Sequence, residues 1–175
     1  MMLDTLVLGI GNILLQDEGL GVRALERLKQ DYCVPSAIQL VDGGVMGLDL
    51  LPYLEDLSTL LVIDAVQTGQ PPGTLVRLEG DAIPAALALK MSMHQAGLQE
   101  LLATSRLQGT SPPKVVLWGM EPANVDWGLD LSAPVAARLD ALVHAVVEEL
   151  QDWGVWYDLP ILDPPRHACR GGSTN

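Results

Sequence analysis

Along the chain, short apolar runs alternate with longer stretches in which apolar positions recur every three or four residues. The first kind reads as buried strand and the second as amphipathic helix. Residues 5–11 (TLVLGIG), 37–42 (AIQLVD), 59–66 (TLLVIDAV) and 114–120 (KVVLWGM) are predicted strands, with the third placed centrally. Residues 73–80 (GTLVRLEG) alternate instead, as an edge strand does. Between them, 18–30 carries Leu20, Ala24, Leu25 and Leu28 at helical spacing. Met46 to Leu57 predicts a second helix, broken by Pro52. Ser92-Met93-His94-Gln95 has the pattern of a capping box, opening a helix with His94, Leu98, Leu101 and Ser105 on one face. Ser132 is the predicted cap of a last helix whose stripe is Val135, Leu139, Leu142, Val146 and Leu150.

Strand and helix in alternation predict an α/β fold: a three-layer sandwich with a mostly parallel, five-stranded twisted sheet and helices on both faces. One domain is expected over residues 1–154. Beyond it the periodicity stops, and Pro160, Pro164, Pro165 and Gly171-Gly172 mark 155–175 as a loosely held tail, its first part pinned by Trp153, Trp156 and Tyr157.

Composition narrows the partners. The chain has 175 residues and a net charge of −12. Such a surface lacks the basic footprint that a nucleic-acid backbone or an anionic membrane demands. Two cysteines without a CxxC pair fit a cytoplasmic protein. The apolar start lacks a basic leader, so it reads as a strand and not as a signal peptide. No run is long enough to span a membrane.

In open α/β sheets, ligands bind at the carboxyl ends of the strands. Glu18 follows the first strand, Asp42 ends the second, Asp64 ends the third, His94 opens the helix after the fourth, and Glu121 follows the fifth. Glu, Asp and His together suit a divalent transition metal such as nickel or zinc. A first-turn histidine is held neutral by the helix dipole, the form that binds metal. Each residue also has an ordinary reading. Glu18 favours a helix start, Asp42 shapes the turn before Gly43-Gly44, Asp64 ends its strand, and His94 opens a helix. Glu121, His144 and His167 read as structural, and Asp17 as a cap or a support for the site.

The loop LVLGIGNILLQDEGLGV (6–22) resembles a dinucleotide fingerprint, yet Leu14 stands where the third glycine belongs. Asp17 and Glu18 would repel a pyrophosphate. Its glycines are therefore expected to serve close backbone approach and to present Glu18.

These segments together resemble the hydrogenase maturation proteases, the nickel-dependent endopeptidases of [NiFe] hydrogenase assembly. The likeness rests on GIGNILLQDEGLGV (9–22), VDGGVMG (41–47), VIDAVQTGQPPGTL (62–75), SMHQAGL (92–98) and WGMEP (118–122), and spans about residues 5–152. It implies that Glu18, Asp64 and His94 bind the metal and that Asp42 takes part in processing. It implies removal of a C-terminal extension from the hydrogenase large-subunit precursor, with substrate-borne nickel as the cue; separately from the resemblance, a monomer is expected. Val45 departs from the pattern, which usually has Thr there. Two other readings use the same ligands: a self-contained zinc-type metallohydrolase, and a non-catalytic metal-sensing chaperone for the precursor. The group that activates water is open between the metal and Asp42.

Overall fold

The computed structural model describes residues 4–87 and 93–157; of Met93 and His94 it describes the backbone. The expected cap Ser92 and residues 158–175 of the expected tail lie outside the described residues. The strands are β1 (Thr5–Ile10), β2 (Ile38–Gly44), β3 (Thr59–Ala65), β4 (Leu75–Glu79) and β5 (Lys114–Met120). They form one sheet in the order β2-β1-β3-β5-β4. The first four of that order are mutually parallel, and β4 runs antiparallel against β5 at the edge. So β3 is central and the alternating strand is an edge, as the patterns predict.

Helices cover both faces. On one side lie α1 (Leu20–Asp31), α4 (Ala133–Ala136) and α5 (Leu139–Asp152), packed on Val7, Leu61 and Ile63. On the other lie a 3-10 helix (Gly47–Leu54), α2 (Ala82–Leu87) and α3 (Met93–Gln108), packed on Leu6, Leu8, Leu60 and Val62. Odd and even strand positions thus feed two separate cores, as the period of two requires.

Several elements differ from the sequence expectation. The stretch after β2 is a 3-10 helix with Pro52 inside it, because proline lacks the N–H and crowds the carbonyl that an α-helix would use. The last helix is split: the Arg138 N–H bonds the Val135 carbonyl, three residues back, and α5 starts afresh at Leu139. At six residues, α2 is too short for a readable period. Beyond Gly154, Trp156 is buried edge-on against Tyr32, as expected of a residue that pins the first part of the tail. Tyr157, at 83 % exposure, pins nothing.

One polar network ties the edge of the sheet to the last helix. Arg77 on β4 makes a two-pronged ion pair with Glu149 on α5, at 2.7 and 2.8 Å. The indole N–H groups of Trp118 and Trp153 donate to the same carboxylate at 3.0 and 2.9 Å. The guanidinium first, then the two indoles, push the Glu149 carboxyl down to about 2 against the opposing effect of burial. Lys114 lies over the ring of Trp153, 4.4 Å from its centroid.

Candidate active site

The parallel strands β2, β1, β3 and β5 all end at one edge, and the segments that follow them carry the candidate residues. Asp42 and Ile63 both pair with Gly9 of β1, from opposite sides. Two strand spacings therefore separate Asp42 from the Ile63-Asp64 pair, roughly 10 Å.

Asp64 is wholly buried, and its Oδ1 accepts the Ala65 N–H at 2.8 Å. It shares parity with Leu60 and Val62, so it belongs to the face that α3 covers. The first turn of α3 is fastened at the same place: the Gln95 amide donates to the Ala65 carbonyl at 2.8 Å. One residue before Gln95 stands His94, and one residue before Ala65 stands Asp64. Gln95 is thus a positioning group that the sequence reading assigned to a capping box. Its partner is 30 residues away, and no local pattern marks it.

Glu18 reaches the edge by another route. It lies in a 3-10 turn (Gln16–Gly19) between β1 and α1. Gly11, at φ +128°, lets the Glu18 carbonyl settle where a side chain would stand. A Cβ at Gly21 would collide with the Ile10 and Ile63 carbonyl oxygens. The start of α1 therefore rests directly on the ends of β1 and β3, next to Asp64. The glycines of this loop do serve backbone approach, and Glu18 is left half-buried at the edge.

Asp42 is at the same edge but not on the same face. It has the parity of Ile38 and Leu40, which pack toward α1. It is exposed, and its Oδ1 accepts the Gly44 N–H at 3.0 Å. The turn-shaping reading of Asp42 therefore describes a real bond.

Two acids prove structural. Asp17 is fully buried and accepts from the backbone N–H groups of Ala123, Asn124 and Ser132 and from the Ser132 hydroxyl, at 2.7–2.9 Å. Ser132 stands at the start of α4, but its hydroxyl serves Asp17 and makes no cap bond. Glu121 accepts from the Thr68 N–H and hydroxyl and from the Gly69 N–H, closing the loop after β3. Cys33 follows α1, away from this edge.

Among the described residues, no group of three His, Cys, Asp or Glu side chains gathers as a metal site; the His94 side chain is outside that set. The donor set that the edge assembles is two carboxylates, Glu18 and Asp64, beside the first turn that carries an imidazole. That chemistry fits a divalent transition metal.

A mostly parallel sheet of this order, with acidic groups on the segments at its carboxyl edge, defines an α/β protein whose ligand site is built from the loops at that edge. The family model of HycI, hydrogenase maturation protease, matches residues 22–149. The hydrogenase expression/formation protein HupD of Rhodobacter capsulatus is 45 % identical over 152 residues, covering 86 % of this chain and 72 % of that protein. The hydrogenase 2 maturation protease of Escherichia coli K12 is 36 % identical over 151 residues, covering 86 % and 92 %. The solved structure of the hydrogenase maturating endopeptidase HybD from E. coli superposes with a TM-score of 0.82 at 35 % identity, over 88 % of this chain and 94 % of that one. The chain belongs to the hydrogenase maturation protease family, a family of endopeptidases.

Proposed function

We propose that this protein acts in the cytoplasm as a monomer, removing the C-terminal extension of a [NiFe] hydrogenase large-subunit precursor once nickel is seated in it. The observation that carries this reading is the convergence of three separate segments on one edge: the Glu18 turn through Gly11 and Gly21, Asp64 at the end of β3, and the start of α3 through Gln95. In this reading the nickel arrives with the substrate, and Glu18, Asp64 and His94 are its ligands on the protease. A precursor that docks without the cation brings no positive charge to two carboxylates on a chain of net charge −12. With it, coordination supplies affinity and fixes the position of the scissile bond. Asp42, oriented by the Gly44 N–H and exposed on the other face of this edge, is the candidate acceptor for the proton of the attacking water, which then goes to the leaving amine; the alternative activator is the metal. No described helix is long and apolar enough to cross a membrane.

The test is the intact mass of a large-subunit precursor after incubation with the protein, in nickel-loaded and nickel-free form. Loss of a C-terminal peptide from the loaded form alone is expected. Glu18→Gln, Asp64→Asn and His94→Ala should each slow it by roughly 100-fold or more. Cleavage of both forms would remove nickel as the cue. No cleavage of a loaded, cognate precursor would leave a binding module. Tightly held zinc in the purified, active protein would favour the self-contained hydrolase.

A further inference from the structure

The chain has four tryptophans, and three of them are accounted for by packing. Trp118 and Trp153 donate to Glu149, and Trp156 is buried. Trp127 is the exception: it is 79 % exposed, on the segment between β5 and α4. That segment is not a slack loop. Its backbone is bonded to the Glu18 turn through Gln16 N–H to Gly128 O and Gly128 N–H to Leu14 O, both 2.9 Å. The Arg23 guanidinium holds the Leu129 carbonyl at 3.2 Å, and the Gln16 amide meets the Trp127 carbonyl at 3.4 Å. Asp17, the residue next to Glu18, clamps both ends of it with four further bonds.

A large apolar ring is thus carried in water on a firmly held backbone, directly beside the candidate site. Leu129 and Val125 on its own segment and Leu14 on the facing loop are exposed with it. An exposed tryptophan on a held backbone is what an interface anchor needs, because the segment has little backbone ordering entropy left to lose on docking and the ring has two rotatable bonds. The charge around it selects the occupant. Asp126 and Asp130, both exposed, alternate with the apolar positions of the segment. A second copy of this chain, also at −12, is repelled by such a rim. A polypeptide stretch with an apolar side chain flanked by basic ones is attracted.

We propose that the segment 123–132, with Trp127 as its anchor, is the docking arm for the precursor, and that it seizes an apolar, basic stretch of that protein beside the bond to be cut. This rests on the proposed function for the identity of the partner. Asp17 makes the arm and the Glu18 turn one rigid body, so that a docked chain is registered against the metal ligands.

The test compares the full-length protein with Trp127→Ala and with the pair Asp126→Asn/Asp130→Asn, reading both the Kd for nickel-loaded precursor and its cleavage. Trp127→Ala is expected to weaken binding about 30-fold, with the loss in KM and not in kcat, and with an unchanged melting temperature because the ring is exposed. The paired substitution should flatten the salt dependence of Kd. Equal binding by wild type and Trp127→Ala overturns the docking arm while cleavage leaves the protease reading standing. Tight binding that Trp127→Ala weakens, without cleavage, does the reverse. Absence of any binding by the wild type overturns both. Two results would hand the surface to another occupant and overturn the proposal: a dimer in sedimentation that Trp127→Ala abolishes, or precursor binding that tightens on deletion of 158–175 in the wild type alone.

Discussion

Asp17 and Glu18 are adjacent acids at the start of a helix, and their sequence context gives no reason to separate them. Their surroundings do. Asp17 is buried under four donors, three of them backbone N–H groups that lose a charged acceptor if it is replaced. Glu18 stands half-buried at the metal edge. The two therefore separate on substitution. Asp17→Asn turns an amide toward donors and should cost about 2 kcal/mol or more of stability in urea unfolding. Glu18→Gln should leave the unfolding midpoint nearly unchanged while cleavage is lost. The candidate residues themselves were legible because Asp42 and Asp64 fall at the ends of strands and Glu18 and His94 at the starts of helical segments. Their supports were not. Asp17 meets Ser132 across 115 residues, and Gln95 meets Ala65 across 30, so no window of sequence contains both partners.

At the scale of elements, the legible features were those with a period. β5 falls on the predicted Lys114–Met120, and the alternation of the fourth run correctly marks an edge strand, whose antiparallel direction the structure adds. What failed were the joins. The helix predicted from Ser132 onward is two helices, because a continuous apolar stripe does not record a single tightened backbone bond at Arg138. The join that matters most is that of β1 with α1, where two backbones touch with nothing between them. Gly21→Ala puts a methyl against the Ile10 and Ile63 carbonyls, and no flexible group is there to yield. The expected cost is about 3 kcal/mol, at the upper end of overpacking penalties, and it should appear as a melting temperature several degrees lower. Because α1 must then lift off the ends of β1 and β3, cleavage should fall further than the residual folded fraction accounts for.

For the whole molecule, the network of Arg77, Glu149, Trp118 and Trp153 joins the sheet edge to the last helix. The Glu149 carboxyl is held near 2 when folded, against an ordinary 4.5. The unfolded chain thus binds the proton more readily. The stabilisation is complete above pH 4.5 and drains away as pH falls toward 2. Glu149→Gln should lower stability by about 3 kcal/mol at neutral pH and flatten the acid limb of the unfolding curve. The order of the sheet has a consequence for synthesis. Glu18, Asp42 and Asp64 belong to β1, β2, β3 and their loops, all made by Ala65, and the partner that covers the open side of β3 is β5, complete only at Met120. At ribosomal speed that interval is roughly 3–10 s. For that time the central strand of the protein has a bare edge, and for the first part of it three of the four proposed site residues exist on the nascent chain without the fourth, whose helix is complete at Gln108.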